Sequence, residues 1–197
     1  MVFTVGNFLK EEEIEEIRQQ GEALGFEPSR VQVSPTGGQV SAWRASTGAV
    51  LRQNREQNEL VRGLVERVSM FTGGRGWKNV EPLELIRYLK GHYFEAHTDF
   101  FKASDAMPEG KPIAQRLFTG LLFLNEGFKG GETHFPLLNL TVKSTRGTML
   151  FFRNVDPEGR PDNRTLHRGL PVLEGLKLAC NLWVLDVEFE GEKSTRV

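Results

Sequence analysis

The chain has 197 residues, 39% hydrophobic and 26% charged, with a formal net charge of −1. This composition predicts a folded soluble protein with enough chain for one sizeable core. The near-zero charge argues against a strongly basic nucleic-acid binder, and no apolar run approaches the ~18 residues of a membrane span.

The opening, MVFTVGNFLKEEEIEEI, soon turns acidic and lacks the basic start and apolar stretch of a secretory leader. The lone Cys180 excludes an internal disulfide, a Cys-rich zinc site or a cysteine-ligated cluster. It lies in the apolar run KLACNLWVL and reads as a small buried hydrophobe. The expected setting is reducing and cytoplasmic.

In chain order, Lys10 to Leu24 reads as a helix with Ile14, Ile17 and Leu24 near one face and Gly25 as the stop. Ser29 to Ser46 is polar and rich in turn formers, and reads as a long loop. A second helix is predicted from Asn54 to Phe71. Leu60, Leu64, Val65, Val68 and Phe71 recur at helical spacing, and Gly73-Gly74 ends the pattern. After Val80 the pattern changes to short strands: Leu83–Leu89, Phe94–Phe100, Leu117–Leu124, Thr133–Phe135, Thr148–Phe152, Thr165–Val172 and Leu176–Phe189. Lys102 to Gln115 is a second long loop. Two helices followed by many strands predict one α+β domain over residues 1–197, a β-sandwich or jelly roll with helices packed on one sheet.

The chemistry-bearing feature is His97-Thr98-Asp99. In a strand, residues i and i+2 share a face, so this spacing sets an imidazole beside a carboxylate. A third ligand from another strand would complete a 2-His-1-carboxylate triad, which suits non-heme Fe(II) and leaves open positions. His167 is the candidate, because it begins an apolar strand followed by a turn at Glu174-Gly175 and a further strand. Lys177 begins that next strand and shares a face with Ala179, Asn181 and Trp183. An interior lysine there needs an anionic partner, which a dicarboxylate cosubstrate supplies. Of the remaining histidines, His92 receives no assigned role, and His134, inside GGETHFP, reads as an exposed residue, with a substrate contact as the alternative.

Several stretches in this order resemble the prolyl 4-hydroxylase family, in particular its collagen-type, plant and microbial branch. They are LIRYLKGHYFEAHTDFF (85–101), QRLFTGLLFLN (115–125), GGETHFP (130–136), GTMLFF (147–152) and LHRGLPVLEGLKLACNLW (166–183). NFLKEEEIEEI and WRASTGAVL (43–51) resemble earlier family segments, so the similarity covers nearly the whole chain.

The resemblance implies a double-stranded β-helix, iron on His97, Asp99 and His167, and the distal carboxylate of 2-oxoglutarate on Lys177. It implies that Tyr88 and Thr133 line the cosubstrate pocket and that Arg116 and Trp183 stand near the substrate mouth. Phe123 departs from the family pattern, in which tyrosine is common there. The implied reaction is hydroxylation of a peptidyl proline at C4, coupled to conversion of 2-oxoglutarate and O2 to succinate and CO2, with ascorbate rescuing oxidised iron.

The expected partner is a proline-containing peptide or protein, covered by the two loops and touched by Trp43, Arg44 and Arg116. Hydroxylation of another residue or of a free amino acid is the alternative enzyme reading. A non-catalytic jelly-roll binding module is the rival from another class.

Overall fold

The computed structural model describes residues 1–29, 31–34, 37–39, 42–51, 58–101 and 114–188. Among the described residues no helix is long and apolar enough to cross a membrane.

Chain order begins with β1 (Val2–Val5), α1 (Glu11–Leu24), β2 (Glu27–Pro28), β3 (Val31–Ser34), β4 (Gly37–Gln39), β5 (Arg44–Ala45), β6 (Thr47–Leu51) and α2 (Glu59–Thr72). It continues through β7 (Leu83–Tyr88), β8 (Tyr93–His97), β9 (Arg116–Phe123), β10 (Lys129–Gly130), β11 (Thr133–Phe135) and β12 (Leu140–Val142). The last strands are β13 (Met149–Arg153), β14 (His167–Gly169), β15 (Val172–Glu174) and β16 (Lys177–Leu185).

A seven-stranded sheet runs β1-β13-β9-β16-β7-β6-β2, and a five-stranded sheet runs β12-β11-β14-β8-β5. Every pairing is antiparallel. Phe123, Leu150 and Phe152 of the large sheet pack with Phe135 of the small one, so the sheets close on each other as a jelly roll. The fold matches the α+β expectation, with helices against one sheet.

Each helix begins and ends for local reasons. At α1, Glu13 accepts from the Lys10 backbone N–H, and Gly25 ends the helix at a φ of 79° that favours glycine. At α2, the Asn58 side chain accepts from the Val61 N–H and Gly73 ends the helix in the left-handed region. Ile14 and Ile17 of α1 and Leu60, Leu64, Val65 and Val68 of α2 are buried in one core with Leu85, Leu122, Leu182 and Val184 of the large sheet. Phe71 reaches the same core through a ring cluster with Phe3 and Phe151, centroids 5.3–5.6 Å apart.

Some expectations change. Leu24 is half exposed, and Gly21 takes its place on the buried face of α1. A Cβ on Gly21 would stand 2.0 Å from Leu85 Cδ2, so glycine permits the helix to lie this close to the sheet. The stretch read as a loop from Ser29 to Ser46 contains the β3–β4 hairpin and β5, strands of only two to four residues, too short for alternation to mark them. β1, β2, β6, β10 and β12 are likewise absent from the predicted strands. The predicted strand Thr165–Val172 is instead a 3-10 turn, Asn163–Thr165, followed by β14 and the start of β15. The predicted start of the second helix, and residues 102–113 of the second loop, lie outside the described residues. The ends of that loop are held together: Phe101 N–H donates to Gln115 Oε1 at 2.8 Å, and Gln115 Nε2 donates to the Phe101 carbonyl at 2.9 Å.

Candidate metal centre

His97 ends β8 and pairs directly with His167 at the start of β14. Asp99 lies beyond the end of β8, so period-two geometry alone does not place it beside His97. A β-bulge also intervenes, with Glu95 and Ala96 together opposing the single Arg168. The bulge puts Phe94 and His97, three residues apart, into the same cavity, where their rings stack at 3.6 Å.

One candidate ligand atom from each of His97, Asp99 and His167 lies within 4.8 Å of the other two. Each imidazole is oriented from behind. His97 Nδ1 lies 2.8 Å from the Glu95 carbonyl, and His167 Nδ1 lies 2.9 Å from the Thr165 carbonyl. A carbonyl only accepts, so both rings carry their proton on Nδ1 and present a bare Nε2. Burial, then the neighbouring His167, push the His97 imidazole well below its ordinary range and favour the neutral form.

Asp99 is only 7% exposed. Burial alone would raise its carboxyl. His167, His97 and Arg116, with a hydrogen bond from Thr119, outweigh burial and hold it below the usual range. Its Oδ2 accepts from Thr119 Oγ1 at 2.7 Å and from Trp183 Nε1 at 3.1 Å. Its Oδ1 is left beside His97 Nε2, 3.6 Å away. Two imidazole nitrogens and one carboxylate oxygen, gathered at the wall of an open cavity, are a donor set that fits Fe(II).

The cavity continues to Lys177, which is 3% exposed. Its Nζ donates to the Gly131 carbonyl at 2.6 Å and lies 5.4 and 5.7 Å from the ring centres of Tyr88 and Phe123. Burial lowers its pKa to about 8, with Glu132 opposing. Among the described residues no carboxylate touches this ammonium. A buried cation with one carbonyl partner fits the far carboxylate of 2-oxoglutarate. Gly131 makes the contact possible: it has φ +70°, and a Cβ there would press on Val172 and Phe128.

The other anticipated residues divide into two groups. Tyr88 and Thr133 are buried and line the cavity. Trp183 lines the cavity and reaches Asp99. Arg116, expected to meet peptide carbonyls, is instead committed to Glu81 through two hydrogen bonds of 2.5 and 2.8 Å. Its guanidinium also covers the Trp183 ring at 3.6 Å. Arg44 is likewise buried. It donates to Ser46 Oγ and Glu84 Oε1, both at 3.0 Å, while Asn181 donates to the other Glu84 oxygen. Trp43 is 64% exposed in the turn just before β5, which pairs with β8. His134 faces Thr141 and is absent from the cavity lining.

Sequence reasoning did not single out Thr119, Phe94, Glu81 or Glu84. Thr119 was accessible in principle, because it lies two residues from Leu121 on a strand whose alternate positions are apolar. Glu81 and Glu84 gave no signal, since their partners come from distant strands.

Comparison with known proteins agrees with this geometry. Residues 83–185, more than half of the chain, match the 2OG-Fe(II) oxygenase superfamily. Prolyl 4-hydroxylase 1 of Arabidopsis thaliana is 26% identical over 93% of this chain and 68% of its own length. Prolyl 4-hydroxylase 2 of the same plant is 30% identical over 74% of this chain, which spans about half (54%) of that relative. The viral collagen prolyl hydroxylase vCPH of Paramecium Bursaria Chlorella virus-1, solved as a 2OG complex, superposes with a TM-score of 0.72 at 27% identity. That match covers 94% of this chain and 96% of the viral one. A Pseudomonas putida prolyl-4-hydroxylase shares the fold with a TM-score of 0.62 at 18% identity, over 93% of this chain and 91% of that one. The chain belongs to the 2OG-Fe(II) oxygenase superfamily, and is a dioxygenase that uses Fe(II), 2-oxoglutarate and O2.

Proposed function

We propose that this dioxygenase hydroxylates proline within a peptide, at C4, while 2-oxoglutarate is converted to succinate and CO2. The carrying observation is the convergence of His97, Asp99 and His167 in a cavity that is also lined by the buried Lys177, which no carboxylate touches among the described residues. The relatives named as prolyl 4-hydroxylases support proline as the substrate.

The chain's residues divide the work. His97, Asp99 and His167 would hold Fe(II) through two Nε2 atoms and Asp99 Oδ1. The bound iron supplies activation of O2 and of the 2-oxo acid. The Lys177 ammonium fixes the far carboxylate, and this sets the distance between the 2-oxo acid end and the iron ligands. Tyr88, Thr133 and Ile86 enclose the cosubstrate in a dry wall, which strengthens the Lys177 contact by excluding water. Trp43, 64% exposed in the turn just before the edge strand β5, stands where an extended, proline-rich peptide would pass.

The test is incubation with Fe(II), 2-oxoglutarate and proline-containing peptides, followed by mass spectrometry and fragment sequencing. One added oxygen on a peptidyl proline, with stoichiometric succinate, is expected. Oxygen added only to another residue or to free proline would reject the peptidyl-proline assignment while leaving the dioxygenase class in place.

A further inference from the structure

Behind the Asp99 carboxylate a buried polar chain runs from Thr119, in the cavity wall, to Asn154, which lies outside the cavity lining. Asn154 follows β13 and is fully buried, and its Nδ2 lies 2.9 Å from Thr119 Oγ1. Thr119, 2% exposed, in turn lies 2.7 Å from Asp99 Oδ2. The proton order in this chain follows from donor and acceptor chemistry alone. Ionised Asp99 only accepts, so the single Thr119 hydroxyl hydrogen is directed to it. The Thr119 oxygen then offers lone pairs to Asn154, and Asn154 must answer with its NH2 rather than its carbonyl oxygen. The Asn154 Oδ1 accordingly faces away and has no partner among the described residues.

Asn154 is fixed at both backbone groups. Its N–H donates to the Leu117 carbonyl at 2.8 Å, and its carbonyl accepts from the Asp162 N–H at 2.9 Å. Asp162 caps the 3-10 turn Asn163–Thr165, and the Thr165 carbonyl is the one that orients His167. One buried residue therefore anchors the approach to two of the three candidate ligands. Trp183 supplies the second hydrogen bond to Asp99 Oδ2, with Arg116 and Glu81 locked across its ring.

We propose that Asn154 and Thr119 are positioning residues which commit Asp99 Oδ2 to the protein and thereby present Oδ1 alone to the metal. The inference rests on the reading of His97, Asp99 and His167 as the metal site. Without the Thr119 hydrogen bond only the longer one from Trp183 holds Oδ2, and the carboxylate turns more easily to share both oxygens, at a cost in affinity typical of lost support behind a ligand, about 10- to 100-fold.

The experiment is calorimetric titration of the apo chain with Co(II), together with the visible spectrum of the Co(II) form, in the absence of 2-oxoglutarate. Thr119→Val keeps the shape and removes the hydroxyl, and should weaken Co(II) at least about ten-fold and change the spectrum. Thr119→Ser restores the hydroxyl and should return both to the wild-type state. Asn154→Asp cannot donate to Thr119 and competes for its hydrogen, so it should weaken Co(II) in the wild-type background. In the Thr119→Val background it should cause no further weakening, whereas a purely electrostatic or packing effect of the new carboxylate would be the same in both. Circular dichroism and thermal melts of each apo variant identify any that fails to fold, and the Thr119 pair decides the question if Asn154→Asp is one of them.

Thr119→Val matching wild type in affinity and spectrum, Thr119→Ser failing to restore them, or Asn154→Asp acting equally in both backgrounds would each overturn the proposal. His167→Ala separates this from the underlying reading. If wild type binds no Co(II), or binds it unchanged after His167→Ala, the metal site itself is wrong and both fall.

Discussion

The two faces of β16 come from one run of nine residues, KLACNLWVL, and do opposite things. Leu178, Cys180, Leu182 and Val184 enter the apolar core under the helices. Lys177, Ala179, Asn181 and Trp183 line the cavity between the sheets. Both faces are largely closed to water, so burial does not distinguish them. The difference lies in how the buried groups are satisfied. The helix side is held by dispersion and the removal of apolar surface from water. The cavity side carries Lys177, Arg44, Glu84, Arg116, Glu81, Asp99 and His167. Most of these are compensated within the protein. Lys177 is compensated by one carbonyl, which leaves the cavity side short of a negative group that 2-oxoglutarate provides.

The largest effect expected on the cavity side is loss of the metal. His167→Ala removes an Nε2 donor, and Co(II) or Fe(II) binding and succinate formation should fall to background, measured by calorimetry and by a succinate assay. Retained tight binding of one metal ion would break the contrast, since the cavity side would then hold no metal through His167.

Next comes a pair of opposite outcomes on the same strand. Leu182→Ala on the helix side should cost about 2–5 kcal/mol of stability through the lost methyl groups and the cavity left behind, with 2-oxoglutarate affinity little changed. Lys177→Met on the cavity side should cost about 2–5 kcal/mol of 2-oxoglutarate binding, yet raise the unfolding midpoint of the apo chain, because a poorly compensated buried cation is gone.

The pH dependence sharpens this pair. Burial brings Lys177 down to about 8, from 10.5 for an ordinary lysine. Between those values the unfolded chain holds the proton more tightly, so the stability of the apo chain gains from this group as pH rises through the window. Cosubstrate binding has the reverse sign: it needs the ammonium, so affinity falls as pH climbs past about 8. Thermal melts and titrations from pH 7 to 10.5 should show both slopes in wild type and neither in Lys177→Met.

The smallest expected effect is a gain. Phe123 is fully buried, with its ring centre 5.7 Å from Lys177 Nζ. Phe123→Tyr places a second donor near the carboxylate-binding end, and should tighten 2-oxoglutarate by about 0.5–1.5 kcal/mol. Unchanged affinity with a lower unfolding midpoint would mean that the hydroxyl is buried without a partner, and that Lys177 alone serves the cosubstrate.

Much of the site was legible because its signals are local. Strand alternation alone put Lys177, Ala179, Asn181 and Trp183 on one wall, and that wall is the cavity. The helix stops at Gly25 and Gly73 were readable because only a residue without Cβ enters those conformations easily. Less legible were features set by contacts distant in sequence. Arg116 looked like a free guanidinium until Glu81, 35 residues away, closed on it. The β3–β4 hairpin and β5 are strands of only two to four residues, too short for a periodic pattern to separate them from a loop.

The sequence by itself determined the chemistry available: an HxD pair, a distant histidine, one interior lysine and an alternating strand to carry it. Tertiary structure decided how those groups meet. The bulge opposite Arg168 brings Phe94 and His97 together, and a bend beyond β8 rather than strand period positions Asp99. Closure of two sheets sets Thr119, Trp183 and Asn154 behind it. The reason is physical: side-chain period is a property of one strand, whereas the orientation of a carboxylate depends on donors from several, and these become neighbours only when the sheets have paired.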